Sequence, residues 1–258
     1  MHTLFFSLRP VTLTLMFMIS LVAGIGITTV GPGGVLMTIA LYAMTGMTPA
    51  LVAGTSIATH IATAIVGTLA YLKTGHLRDS LTRRLALILG ASALVGTPAG
   101  VFINGQVSHR GFGILLGLLA AALAVAVWRR QRQASSDDRA VSGATAAAIG
   151  LTVALIAGLL GLGGPMLTVP LLVAAHTPIL MAVAAAQAQA LAISSVGTIG
   201  YGTSRAIDWP LALFVGVPEI AGVMLGAKIA IHVPAARLRY ALAVVLLALA
   251  PYLAFHSG

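Results

Sequence analysis

Residues 11–44 carry no charge, and Gly24, Gly26, Gly31, Pro32, Gly33 and Gly34 interrupt the stretch in its middle. As one straight helix it would reach about 50 Å, too long to cross about 30 Å of hydrocarbon without large tilt. Proline and closely spaced glycines kink or end helices. The expectation is a crossing helix, a non-helical elbow and a short second helix. Two full crossings are the competing parse.

The same feature returns later in the chain. A shift of 130 lays Gly31 on Gly161, Gly33 on Gly163, Gly34 on Gly164 and Thr38 on Thr168. It also lays Gly67 on Gly197, Thr68 on Thr198 and Tyr71 on Tyr201. Such self-similarity is the mark of an internal repeat. Residues 1–128 are read as a first transmembrane repeat, 129–140 as a charged cytoplasmic linker and 141–258 as a second transmembrane repeat.

Further apolar segments occupy residues 49–72, 85–103 and 111–128, then 141–175, 178–203, 210–231 and 238–255. Gly96 and Gly100 form a small-xxx-small packing face. Gly222 and Gly226 answer them at a shift of 126. The fold class expected is an all-α polytopic membrane protein with about eight transmembrane helices. They form two tandem four-helix repeats, each opening with a glycine-broken helix.

Hydrophobic residues make up 59% of the chain and charged residues 7%, against roughly 25% charged in a soluble domain. That balance excludes a water-soluble fold. A β-barrel would show short alternating segments, and none is visible. The net charge of +9 is read as membrane orientation and not as affinity for nucleic acid. With no cysteine there is no disulfide or thiol chemistry. The first apolar segment is read as a retained helix, since it lacks a small-residue cleavage site and leads into the glycine cluster.

With one crossing per long segment, ten of the fourteen Lys/Arg fall on one side: Arg9, Lys73, Arg78, Arg83, Arg84, Arg129, Arg130, Arg132, Arg139 and Arg205. Arg110, Arg237, Arg239 and Lys228 fall on or near the other. This places both termini in the cytoplasm of a multi-pass plasma-membrane protein. It also makes the repeats parallel; five crossings per copy would make them inverted.

The paired glycine clusters are the main candidates for a binding site. A helix broken at membrane depth presents free N–H groups and the positive end of a dipole, which suits an anion. Gly31, Gly33 and Gly34 with Gly161, Gly163 and Gly164 could provide this; close helix packing is the plainer alternative. Neither cluster ends in Lys-Ser/Thr, so no nucleotide loop is implied.

Thr55, Ser56, Thr59 and His60 line one helix with polar groups, and Gln187 and Gln189 occupy the corresponding region of the second copy. Together they suggest a shared aqueous path, against the alternative of ordinary interhelical hydrogen bonds. Glu219 is read as the sole acid within an apolar segment, hence a proton relay or gate, with His60 as the alternative proton-handling group. No histidine-carboxylate spacing points to a metal, no catalytic pair is visible, and no cofactor is implied. The partners expected are the lipid bilayer and a small anionic substrate, with no nucleic acid; homo-oligomer formation is left open.

The arrangement resembles the sulfite exporter TauE/SafE family of membrane transporters. The likeness rests on GPGGVLMT, GLGGPMLTVPLL, the AGTS run at residues 53–56 and GTLAYLKTGHL, and it covers about residues 18–250. It implies a non-enzymatic carrier of sulfite, sulfoacetate or other small organic or sulfur-containing anions. Departures are Val35 and Pro165 in place of a third glycine, and Ala185-Ala186 in place of Thr55-Ser56. A proton-coupled secondary transporter is the first reading, with a passive ion or anion channel as the alternative.

Overall fold

In the computed structural model the described residues are 4–29, 32–129 and 141–229, with 244, 247 and 248. The elements among them are all helical: α1 (Pro10–Thr29), α2 (Val35–Thr45), α3 (Pro49–Lys73), α4 (Ser80–Asn104), α5 (His109–Arg129), α6 (Gly143–Leu160), α7 (Pro165–Ala174), α8 (Ile179–Thr203) and α9 (Trp209–Ile229). Six of these, α1, α3, α4, α6, α8 and α9, are long and apolar enough to cross a membrane. Gly31, linker residues 130–140 and most of the expected last span, 238–255, lie outside the described residues.

The helix starts follow local chemistry. Thr48 accepts a hydrogen bond from the Leu51 N–H at 3.4 Å, and Pro49 opens α3. Asp79 accepts from the Thr82 N–H at 2.9 Å and caps α4. Ser142 accepts from the Thr145 N–H at 3.1 Å and caps α6. Each cap satisfies an N–H that the helix itself leaves free. Outward side chains along the long helices include Val22, Leu94, Phe102, Ile199, Leu213 and Val217. Such an apolar surface belongs in lipid.

Both glycine clusters turn the chain back. After α1, a 3-10 turn at Pro32–Gly34 leads into α2, and Gly33 packs against Ala23, Gly26 and Ile27 of α1. Thr38 and Ser56 share a 2.8 Å hydrogen bond, while Gly34 lies against His60, so α2 runs antiparallel to α3. In the second half, Gly161 at φ 75° ends α6 and Gly164 at φ 90° precedes α7, a backbone region that favours glycine. Thr168 donates to Gln189 at 2.6 Å and Gly164 abuts Ile193, so α7 runs antiparallel to α8. With 11 and 10 residues, α2 and α7 each reach about 15 Å, half the hydrocarbon thickness. They are half-helices, each returning toward the side from which the preceding long helix came.

The two halves interlock by exchanging helices. The Leu21 and Ile25 carbonyls of α1 lie against Gly222 and Gly226 of α9. The Leu151 and Leu155 carbonyls of α6 lie against Gly96 and Gly100 of α4 in the same way. These contacts are equivalent under the shifts of 130 and 126. Both helix pairs are parallel, and the missing Cβ atoms let backbones touch. In the centre Ile57 of α3 meets Gly197 of α8, and Gln187 of α8 meets Gly67 of α3. That crossing is reciprocal and antiparallel.

Equivalent helices that run antiparallel mean inverted halves. The expectation of parallel repeats is therefore corrected: each glycine-broken segment ends on the side where it began, because its second piece is a returning half-helix.

Candidate functional site

Opposed half-helices bring their N-termini to one place. Gly34 precedes α2 and Gly164 precedes α7. A Cβ on Gly34 would stand 3.0 Å from His60 Cε1 and 3.4 Å from Nε2, and one on Gly163 would stand 3.4 Å from His60 Cγ. The imidazole thus fills the space between the elbows, with a glycine from each half on its flanks. Two helix N-termini direct partial positive charge toward this region.

His60 is 2% exposed and Glu219 is fully buried. His60 Nδ1 lies 3.1 Å from Glu219 Oε1, within ion-pair reach but off the line of a hydrogen bond. His60 Nε2 and both Glu219 oxygens have no hydrogen-bond partner among the described residues. Ionisable groups at membrane depth are costly unless paired, so their meeting has a physical reason. Glu219 reaches this depth because Gly24 admits its backbone close against α1.

The remaining candidates divide by what they touch. Thr55 accepts from the Asp208 N–H at 3.1 Å and holds the start of α9. Ser56 bonds Thr38. Thr59 donates to the Ser56 carbonyl at 2.9 Å and flanks Gly216 of α9. Gln189 accepts from Thr168 at 2.6 Å and donates to the Gly150 carbonyl at 3.1 Å, tying α6, α7 and α8. The Gln187 side chain lies against Gly67, and its carbonyl accepts from Thr68 at 3.0 Å. Gly33 packs on α1, Gly161 on Ala53 and Gly164 on Ile193. His60, Gly34, Gly163 and Glu219 are therefore the group that the fold assembles, with Gly31 outside the described residues.

Sequence reasoning did not join His60 to Glu219. The available signal was that each is the lone ionisable group well inside its apolar segment, and such groups seek partners. Asp208 was also missed. It is buried, accepts from the Leu211 N–H at 3.1 Å and the Phe5 N–H at 3.3 Å, and caps α9. An aspartate two residues before Pro210 is a helix-start pattern. Among the described residues no three His, Cys, Asp or Glu side chains gather as metal ligands.

Lipid-length helices in inverted halves, with broken helices meeting at buried polar groups, define a polytopic α-helical membrane protein. Residues 16–253 match the family described as sulfite exporter TauE/SafE, and the chain belongs to that family. It is 26% identical over 220 residues to "Probable membrane transporter protein YdhB" of Bacillus subtilis (strain 168), covering 83% of this chain and 86% of that one. It is 26% identical over 235 residues to "Probable membrane transporter protein" of Xylella fastidiosa (strain 9a5c), covering 88% of each. No solved structure matches. The chain is a multi-pass membrane transporter.

Proposed function

We propose that this transporter is a secondary carrier of small anions such as sulfite, sulfoacetate and related organosulfur or organic anions. The observation that carries this reading is the convergence of the α2 and α7 N-termini on the His60 imidazole. Such ends favour anions without an arginine in the hydrocarbon. Inverted halves around a central site give a route to alternating access, in which one half rocks against the other.

Each half then contributes one returning half-helix beside its longer helices, α1, α3, α4 and α5 in the first half and, among the described residues, α6, α8 and α9 in the second. Arg9, Arg110 and Arg205 share the side on which α1 starts; Lys73, Arg78, Arg83, Arg84, Arg129 and Lys228 share the other. By the bias of basic residues toward the cytoplasm, the side on which α5 ends, and with it the linker, is cytoplasmic and α1 starts outside, which replaces the expectation of a cytoplasmic N-terminus.

The test is flux in sealed proteoliposomes with sulfite, sulfoacetate, methanesulfonate, thiosulfate and acetate. Saturable flux with counterflow of at least one of these supports a carrier. Non-saturating flux without counterflow supports a passive anion channel, and no flux of any of them removes the anion reading.

A further inference from the structure

We propose that His60 and Glu219 make anion binding conditional on a proton: an anion at His60 Nε2 is held together with one additional proton on the His60–Glu219 pair. This rests on the anion-carrier reading and says what travels with the anion.

The geometry divides the imidazole into two working ends. Nδ1 faces Glu219 at 3.1 Å. Nε2 is buried, unpartnered among the described residues, and borders Gly34 at the start of α2. An N–H at Nε2 can donate to an anion, while Nδ1 and the carboxylate, 3.1 Å apart, form a pair in which either member can carry a proton. One proton leaves the pair neutral overall, which suits its depth in the membrane. An arriving anion adds a negative charge in low dielectric, and a second proton on the pair restores neutrality.

Among the described residues, no other ionisable side chain pairs with His60 or Glu219. Among the packed elements, α1 and α7 carry no ionisable residue. The Tyr42 of α2 bonds His109, and the Tyr201 of α8 bonds the Gly158 carbonyl. On α9, Asp208 stands at the start and Lys228 in the last turn, and Lys73 closes α3. Among the described residues, the charge is therefore met at His60 and Glu219 themselves.

The site is also single. Under the shifts that relate the halves, His60 corresponds to Ala190 and Glu219 to Ala93, and both alanines are buried. A doubled fold thus provides one anion–proton site, with a stoichiometry of one proton per anion. No covalent bond changes; the proton enters from the aqueous phase with the anion and leaves with it on the other side.

The experiment uses the full-length chain and methanesulfonate, which stays ionised across the working range, so that any pH dependence belongs to the protein. Because binding takes up a proton, affinity should tighten about tenfold for each unit fall in pH. An indicator dye in weakly buffered solution should record one proton removed per methanesulfonate bound. Flux should be indifferent to an imposed voltage and driven by an imposed pH gradient.

Glu219→Gln should flatten the pH slope, and the dye measurement on the unmodified chain decides the matter even if that variant does not fold. Binding with no proton uptake and no pH slope overturns the proposal and leaves the carrier reading intact. If flux is confined to sulfite, the same count is made with sulfite after subtracting its own protonation. No binding or flux of any anion overturns both.

Discussion

The phenol of Tyr201 donates a 2.7 Å hydrogen bond to the Gly158 carbonyl, fixing the last turns of α8 to α6 just ahead of the second elbow. Both groups are buried. Tyr71, its counterpart in the first half, is instead half-buried and stacks edge-on against His76. Tyr201→Phe should therefore destabilise the protein by about 1–3 kcal/mol, the cost of a buried carbonyl left unpaired. Tyr71→Phe should change stability little. Thermal unfolding in detergent distinguishes the two.

The glycines that precede the two half-helices should control transport in graded fashion. Gly34→Ala puts a methyl 3.0 Å from Cε1 and 3.4 Å from Nε2, on the face offered to the anion. Flux should fall by about tenfold or more with the fold retained, since the imidazole can yield by a few tenths of an ångström. Gly164→Ala combines φ 90° with a 2.7 Å approach to Ile193 and should also lower the unfolding temperature. Equal flux in Gly34→Ala and the parent would separate the anion path from Nε2.

Gly96→Ala and Gly222→Ala test the exchanged helix pairs. The added methyl would press on the Leu151 carbonyl in the first case and the Leu21 carbonyl in the second. Each should cost about 1–3 kcal/mol by overpacking, and the two sites should behave alike. A cost at one site alone would show that the reciprocal packing is not shared.

Orientation can be read directly because the chain contains no cysteine. Gln106→Cys, between α4 and α5, should label from outside intact cells with an impermeant reagent. Ser136→Cys, in the linker, should label only after permeabilisation. The reverse pattern would invert the proposed topology.

Asp79 lies outside the spans, and its hydrogen bonds from the Thr82 N–H and hydroxyl hold its carboxyl below the usual value. A lowered folded value means that the carboxylate stabilises the fold at neutral pH, and that this is lost as pH falls through the folded value. Asp79→Ala should lower the thermal midpoint at pH 7, and the gap from the parent should narrow toward acid. A gap independent of pH would assign the effect to packing.

Much of the helical framework could be read from the sequence. The glycine-broken stretches 11–44 and 141–175 and the apolar segments 49–72, 85–103, 111–128, 178–203 and 210–231 marked elements now seen at α1 to α9. Direction was not legible. A glycine-broken segment has the same composition whether its second piece continues across the membrane or returns, and only contacts such as Thr38 with Ser56 decide it. The His60–Glu219 meeting was hidden for a related reason. The two residues stand on α3 and α9, and no local periodicity reports a contact over that separation. Gln189 looked like lining for a path because its sequence neighbours are apolar, yet both ends of its amide are committed to Thr168 and Gly150.

The seating of α1 against α9 bears on how the chain is made. The first of the described α-helices to leave the ribosome carries Leu21 and Ile25, whose resting places are Gly222 and Gly226. Synthesis must reach α9 before that partner exists. Until then α1 waits in the bilayer with a small-residue groove open to lipid, held by its own half-helix. Final assembly is therefore a late event, and a chain truncated before α9 would leave its opening segment unseated, a natural target for membrane quality control.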